Sequence, residues 1–174
     1  MSILQIALTK RWLGYLAVTV VFAVICSLLG VWQWNRREEA VAPIERIENN
    51  YDATPRSLDE ALPDRDSFRT DTEWQPVAVS GEYLLEEQLL VRARPRSGQP
   101  GFDVIVPLRL DDGGLVVVNR GWLPVGSAQD SPDVVPAAPT GRVDVVGRIR
   151  PSEPTIAGRG APEGQIATIH LPTI

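Results

Sequence analysis

The residues of this 174-residue chain that could carry out chemistry are few. It has one histidine, His170, its one cysteine lies in an apolar run, and no G-x-S-x-G or S-x-x-K pattern places a nucleophile beside a base. A zinc site needs three or four Cys, His or carboxylate ligands, and the chain cannot supply the soft ones. The acidic pairs Asp111-Asp112 and Glu86-Glu87 each sit at a predicted turn, where solvated acids are the rule. We therefore expect no catalytic residue and no metal site, and we interpret the chain as not an enzyme.

Three arginines alternate along a predicted strand and its continuation. Arg92, Arg94 and Arg96 would then present their guanidinium groups on one face. One interpretation is a solvated face that pairs with nearby acids. The other is an anionic contact with lipid headgroups, haem propionates or the acidic rim of a partner.

The phrase Asn119-Arg120-Gly121-Trp122 ends another predicted strand. In a purely structural interpretation, Gly121 permits a positive φ, Trp122 covers the core, and Arg120 satisfies buried carbonyl groups or pairs with an acid such as Asp103. In a functional interpretation, Arg120 and Trp122 face a partner, because Arg and Trp are the residue types that dominate binding hot spots. Spacing alone leaves both open.

The element that must position these residues is an apolar stretch from Trp12 to Trp34, which contains no charge. As a helix it would be about 34 Å long, enough to cross a bilayer. Tryptophans lie at both ends, and basic residues lie just outside, as at a membrane interface. The run is too long for a cleaved signal peptide. Ile25 before Cys26 does not fit a lipoprotein signal, and only a large domain could bury such a helix. The sequence predicts a transmembrane anchor.

Charge predicts the orientation of the anchor. All 22 acidic residues follow it, with 15 of the 17 basic ones, whereas residues 1–11 carry Lys10 and Arg11 and no acid. We expect a cytoplasmic N-terminus and an extracytoplasmic tail in a bacterial plasma membrane. An acidic chain with a pI near 4.9 lacks the concentrated basic face that phosphate binding requires, so nucleic acid is excluded as a partner.

After the anchor, residues 35–73 are predicted to form a helical connector with Pro43 and then a polar linker, with a single capped helical turn at Ser57–Leu62. From residue 74 the periodicity changes to two, which indicates a β-rich domain over residues 74–174. The predicted strands are Val77–Ser80, Leu89–Arg94, Phe102–Leu110, Gly114–Arg120 and Arg142–Ile149. No helix-length spacers separate them, so the fold class is α+β, a transmembrane helix followed by a mainly antiparallel β domain or small barrel. Pro107 predicts an edge strand or a bulge.

Several phrases together resemble the Surfeit-locus (Surf/Shy) family of cytochrome c oxidase assembly proteins. The resemblance covers roughly residues 28 to 153. The phrases are Gly30-Val-Trp-Gln-Trp-Asn-Arg36, Glu73-Trp-Gln-Pro-Val77 with Gly81-Glu-Tyr83, Gly98-Gln-Pro-Gly-Phe102 leading to Pro107-Leu108, Val118-Asn-Arg-Gly-Trp-Leu-Pro124, and Gly141-Arg-Val-Asp-Val-Val-Gly147 through Arg150 to Glu153. The resemblance implies a membrane-anchored assembly factor for the haem-copper oxidase, which in bacteria assists delivery of haem a to the catalytic subunit. Its implied partners are the oxidase subunits and the lipid bilayer.

Two departures from the family pattern qualify the resemblance. The family has a second transmembrane helix after the extracytoplasmic domain, and this chain stops at Ile174, which we expect to reflect truncation. The haem-linked histidine belongs to that helix, so it is not assigned to His170, and no haem ligand is identified. In addition, Glu38, Glu39 and Ala40 stand where basic residues often continue the Trp-Gln-x-x-Arg phrase.

The candidate partner-binding residues are Trp32, Gln33, Arg36, Asn119, Arg120, Gly121 and Trp122. The first interpretation of function is an oxidase assembly factor that holds haem a or the receiving subunit at the outer face of the plasma membrane. The alternative is an anchored extracytoplasmic scaffold without a cofactor, and an anchored hydrolase is the weakest of the three.

Overall fold

The computed structural model describes residues 10–64, 68–128 and 130–174, so parts of the predicted cytoplasmic segment and of the polar linker lie outside the described residues. The chain divides into two compact units, the first ending at Glu48 and the second comprising Asn49–Ile174. Each unit is described by itself.

The first unit consists of helix α1, Lys10–Asn50, whose last two residues belong to the second unit. Among the described residues it is the one helix long and apolar enough to cross a membrane, and none of its residues is buried. It runs without a break through Gly30–Arg37, where the predicted anchor meets the predicted helical connector. It also continues through Pro43, although proline removes one backbone donor from the helical ladder.

The second unit begins with a short strand β1, Arg56–Ser57, and one helical turn α2, Leu58–Ala61. The hydroxyl of Ser57 accepts a hydrogen bond from the Glu60 backbone N–H, as the capping-box pattern predicted. Leu58 and Ala61 are buried against the sheet core. The predicted helical turn is therefore confirmed.

Strands β2 to β7 complete a sheet of seven strands in the described residues. They are β2 Pro76–Tyr83, β3 Leu89–Val91, β4 Gly101–Leu110, β5 Leu115–Pro124, β6 Arg142–Arg148 and β7 Gln165–Ile166. Strand β4 pairs with β2 and β3 along one edge and with β5 along the other, and β2 also pairs with β6, all antiparallel. The short strands β1 and β7 pair in parallel with β2 and β3. The predicted mainly antiparallel β domain is confirmed.

Strand β4 is the centre of the core because both of its edges are paired and nearly all of its side chains are covered. Ile105, Val106 and Leu108 have no exposed surface. Leu108 and Leu110 join Leu58, Ala61, Val77 and Ile149 in one hydrophobic cluster. A hairpin turn at residues 111–114 leads from β4 into β5, and Gly113 has a φ of 88° there. The turn predicted at Asp111-Asp112 is therefore confirmed.

Two sequence predictions about the strands are corrected. Pro107 does not lie on an edge strand but in the central strand β4, opposite Val117. Its carbonyl accepts from the Leu84 N–H, where the chain crosses from β2 toward β3. The N–H and C=O of a strand residue face the same side, so the missing proline donor falls in this crossing and costs no ladder hydrogen bond to β5.

The second correction concerns the strand predicted at Leu89–Arg94. It ends at Val91, because Ala93 has a φ of 57° and turns the chain. The alternation of strand residues therefore stops before Arg94, and the three arginines do not share one strand face.

Gly81 gives a direct test of the packing between β2 and β4. A Cβ atom at Gly81 would lie 2.1 Å from the Arg109 carbonyl oxygen, which is a backbone atom and cannot rotate away. We expect Gly81→Ala to lower the free energy of unfolding by about 2–3 kcal/mol, measured by urea unfolding of the full chain in detergent. Gly147→Ala on the neighbouring strand β6, where nothing lies within 4 Å, is the matched control and should change it by no more than about 0.5 kcal/mol. Equal effects of the two substitutions would contradict the close approach.

Candidate functional site

The Asn-Arg-Gly-Trp phrase forms a β-bulge in strand β5. Val104 of β4 lies opposite Gly121, but the next residue, Ile105, lies opposite Asn119, so Arg120 is the extra residue. Gly121 has a φ of 131°, and its N–H donates to the side-chain oxygen of Asn119 over 3.0 Å. A bulge changes the direction of the side chains beside it, and here it separates Arg120 from the other residues of the phrase.

Trp122 lies against β4 and against the loop that follows β3. Its indole N–H donates to the Arg94 carbonyl oxygen over 2.6 Å. The ring covers Gly101, where an added Cβ atom would lie 2.3 Å from the indole. Trp122 is half-buried and held on two sides, which matches the structural interpretation of the phrase, and part of its surface remains exposed.

Arg94 is the cation at the centre of this region, and the sequence did not single it out above its neighbours. Its Nη2 pairs with the Glu153 carboxylate, and its Nε lies 3.5 Å from the Asp103 carboxylate. The Nε atom is buried and has no hydrogen-bond acceptor at good geometry among the described residues. The side chains of Arg94, Asp103 and Glu153 are each between a fifth and a third exposed. The structural interpretation of the sequence offered Asp103 as a possible partner of Arg120, but the Asp103 carboxylate lies beside Arg94 instead.

The two carboxyl groups beside Arg94 respond differently to their surroundings. Burial raises the pKa of Asp103, against the opposing effects of the Arg94 charge and a hydrogen bond from Asn119. Burial also acts to raise the pKa of Glu153, but the hydrogen bonds from Arg94 and from the Ile169 backbone outweigh it, so that pKa is lowered. Glu153 is therefore the carboxylate that holds its charge most firmly.

Glu153 also fixes the C-terminal segment. Its carboxylate accepts from the Ile169 N–H over 2.9 Å, and its own N–H donates to the Ile169 carbonyl. His170 Nδ1 lies 2.8 Å from the Glu153 carbonyl oxygen. Because a carbonyl can only accept, this ring nitrogen carries a proton. The histidine thus has a structural contact, and it is not part of a nucleophile–base pair among the described residues.

A polar cleft of about 430 Å³ opens between the loop after β3 and the bulge of β5. We call it the β4–β5 cleft. Its lining residues are Ala93, Arg94, Pro95, Arg96, Asp103, Asn119, Gly121 and Trp122. The cleft therefore brings together Asn119, Gly121 and Trp122 of the Asn-Arg-Gly-Trp phrase with Arg94 and Arg96. The sequence analysis treated the phrase and the arginines as two separate candidates.

Arg120 is the fourth residue of the phrase and is not part of the cleft lining. Its guanidinium donates to the carbonyl oxygens of Pro136 and Ala137 over 3.0 and 3.1 Å, and it lies 5.9 Å from the centre of the Tyr83 ring. These contacts match the structural interpretation of Arg120, with carbonyl groups as its partners. A role of Arg120 toward another protein stays a prediction.

The other predicted site residues, Trp32, Gln33 and Arg36, lie on helix α1 in the first unit, and all three are exposed. Nearby, the Trp34 indole donates to Glu38, and the Arg37 guanidinium lies 5.8 Å from the Trp34 ring centre. Glu38 thus takes part in a contact of the helix where a basic residue was expected. The partner-binding role of the helix residues stays a prediction.

The described residues contain no group of three or more His, Cys, Asp or Glu side chains that could hold a metal ion. The acidic pairs lie at turns, as predicted: Glu86 and Glu87 in a short 3₁₀ turn, and Asp111 beside Arg142 at the β4–β5 hairpin. The arrangement around Arg94 is a charged cleft suited to binding.

The chain has an exposed apolar helix followed by a mainly antiparallel β domain with a polar cleft. These features define the class of membrane-anchored proteins that carry a β domain outside the bilayer. Comparison with known proteins agrees, because the sequence model of the SURF1 family matches residues 20–174. The chain belongs to the SURF1 family. The resemblance stated from the sequence is therefore confirmed.

Individual relatives give the extent of the similarity. An uncharacterized SURF1-like protein of Mycobacterium bovis is 32% identical over 157 residues, which cover 90% of this chain and 58% of the relative. The cytochrome oxidase assembly protein SHY1 of Saccharomyces cerevisiae is 29% identical over 102 residues, 58% of this chain and 25% of the yeast protein. A SURF1-like protein of Rickettsia bellii is 25% identical over 142 residues, 80% of this chain and 54% of the relative. The chain thus spans little more than half the length of its mycobacterial relative.

Glu153→Gln tests the ion pair with Arg94. We expect it to lower the free energy of unfolding at neutral pH by about 1–2 kcal/mol, since Arg94 and the Ile169 N–H lose a charged acceptor. The folded pKa of Glu153 lies below its ordinary 4.5, so its contribution is fully present above that pH and is lost as the pH falls through the folded value. The difference between the two chains should therefore shrink below pH 4.5 in urea unfolding curves. Glu86→Gln at an exposed turn is the control, and a pH-independent difference would contradict the ion pair.

Arg120→Ala tests the contacts of the bulge. Because two charge-assisted hydrogen bonds to Pro136 and Ala137 are removed, we expect a loss of about 2 kcal/mol in the free energy of unfolding and a lower abundance in membranes. Arg109→Ala, an exposed arginine of β4, should change the free energy by no more than about 0.5 kcal/mol. An Arg120→Ala chain as stable as the parent would favour the partner-surface interpretation.

Proposed function

We propose that this chain is a membrane-anchored factor in the assembly of a haem-copper cytochrome c oxidase and is not itself an enzyme. The observation that carries the proposal is the family match over residues 20–174. The yeast relative is named a cytochrome oxidase assembly protein. The described structure supports a binding role, since the β domain carries a cleft lined by paired charges and an indole.

The finer part of the proposal concerns haem a, which we treat as cargo. We propose that the chain assists the delivery or insertion of haem a into the catalytic subunit, with the oxidase subunits and the lipid bilayer as its partners. The described residues offer His170 as the one histidine, and its Nδ1–H donates to the Glu153 carbonyl, which leaves Nε2 as the ring nitrogen that could bind a metal. Because His170 is not among the residues that line the β4–β5 cleft, we assign no haem ligand within this chain.

We also propose that the β domain lies on the extracytoplasmic side of a bacterial plasma membrane. Support comes from the charge distribution, because Lys10 and Arg11 precede the apolar run and every acidic residue follows it. The length of α1 fits the anchor that this orientation requires.

A second candidate is an anchored scaffold that contacts envelope proteins without carrying a cofactor. The observation that favours it is the lining of the β4–β5 cleft, which combines paired charges with an indole and includes no histidine. The two candidates differ in whether haem accompanies the protein.

The experiment removes the chain from its own cells and restores it on a plasmid. We expect removal to lower cytochrome c oxidase activity and the haem a absorbance of the membranes several-fold, with haem b unchanged, and restoration to reverse both. The visible spectrum of the detergent-purified chain then separates the candidates, since bound haem a supports delivery and a colourless protein supports the scaffold. A phosphatase that is active only in an exported compartment should be active when it is fused after Ile174. Unchanged oxidase activity after removal would refute the assembly role.

A further inference from the structure

We propose that the β4–β5 cleft binds an acidic side chain of a partner protein, with the partner's carboxylate on Arg96 and its neighbouring apolar side chain against Trp122. The inference assigns a site and a ligand chemistry that the proposed function does not specify. It rests on the local geometry of the cleft and does not depend on which complex the partner protein belongs to.

Arg96 is the cation of the cleft whose charge is not used in the fold. Arg94 is engaged by Glu153 and Asp103, whereas the Arg96 guanidinium forms no hydrogen bond or ion pair within the described residues and exerts only a longer-range effect on Asp103. The side chain of Arg96 is exposed. A guanidinium at the rim of a cleft matches a carboxylate with two parallel hydrogen bonds, which gives both energy and orientation.

The backbone that carries Arg96 is fixed even though its side chain is exposed. Its N–H donates to the Gln99 carbonyl over 2.9 Å, and the Gln99 N–H donates back over 3.0 Å. The two residues between them, Ser97 and Gly98, have φ values of 51° and 80°, as in the tight turn of a β-hairpin. A preorganised position reduces the entropy that binding must overcome.

Irregular backbone lies on both sides of the cleft. Ala93 has a φ of 57°, a conformation that a residue with a Cβ atom rarely adopts, and Gly121 lies in the β5 bulge opposite. Both features change the direction of the chain beside the cleft. Bulges and left-handed residues are enriched at the binding sites of proteins. Their coincidence with a half-buried acid and an arginine supports a binding role for the cleft.

The acid in the lining does not prevent binding of a second carboxylate. Asp103 is held by Arg94 and by a hydrogen bond from Asn119, so its charge is compensated on the inner side of the cleft. Arg96 lies on the outer rim. The incoming carboxylate therefore meets an arginine before it meets an acid.

Openness and the tryptophan favour a protein segment over a small molecule. Residues 95–99, Asn119 and Gly121 are all exposed, so the cleft covers its occupant on one side only. Small ligands bury most of their surface in their sites, whereas a segment of a larger partner can leave the rest of its contacts outside. Trp122 adds an aromatic surface next to an arginine, the pair of residue types that anchors protein interfaces.

The test uses the full chain in detergent with ¹⁵N-labelled indoles. Five tryptophan signals are expected, and single Trp→Phe variants at Trp12, Trp32, Trp34 and Trp74 identify that of Trp122 by elimination. The probes are the capped tripeptides acetyl-Phe-Glu-Phe-amide and acetyl-Phe-Gln-Phe-amide. We expect the Glu peptide to shift the Trp122 signal saturably, with a Kd at least about tenfold lower than that of the Gln peptide.

Variants decide the role of Arg96. Arg96→Gln should abolish the difference between the two peptides, Arg96→Lys should retain part of it, and Arg109→Gln, an exposed arginine elsewhere on the domain, should leave it unchanged. Equal affinities of the two peptides for the parent chain, or an Arg96→Gln chain that still distinguishes them, would overturn the proposal. Binding of 3-phenylpropionate as tight as that of the Glu peptide would overturn the assignment to a protein segment. No readout involves the oxidase, so this test and that of the assembly role can fail separately.

Discussion

The pairing of strand β4 on both edges is the constraint on which the rest of the β domain depends. Its residues Gly101–Leu110 contact three other strands, and their side chains supply the centre of the core. Asp103 of this strand lies opposite Trp122 and is half-buried, so its carboxylate needs a cation close by. Arg94 supplies that cation. The site is therefore a consequence of how the core is built.

Arg94 in turn connects segments that are far apart in the sequence. Its carbonyl accepts from Trp122 on β5, and its guanidinium reaches Glu153, which holds the backbone of Ile169. A partly buried ion pair of this kind contributes little net stability by itself, but removing one partner leaves an uncompensated charge. The cluster is thus better understood as a device that specifies one arrangement of four segments. That arrangement also forms the wall of the cleft.

Three glycines in the phrases that carry the resemblance have direct structural reasons. Gly81 lies against the Arg109 carbonyl, Gly101 lies beneath the Trp122 ring, and Gly121 occupies the bulge with a positive φ. At the first two positions any side chain would overlap its neighbours, and at the third the backbone conformation strongly favours glycine. These three glycines are therefore explained by how the sheet of this chain is packed and bent.

Local patterns in the sequence determined the helix, the hairpin at residues 111–114, the capped turn at Ser57 and most of the strands, because each depends on neighbours within a few residues. The lengths of the strands and their neighbours in the sheet were harder to predict from the sequence. The end of β3 at Val91 depends on the conformation of Ala93, and the central place of Pro107 depends on where β2 and β3 meet β4. The cleft was beyond sequence reasoning for the same reason. Arg94 and Glu153 are 59 positions apart, and only the tertiary structure decides which acids a given arginine meets.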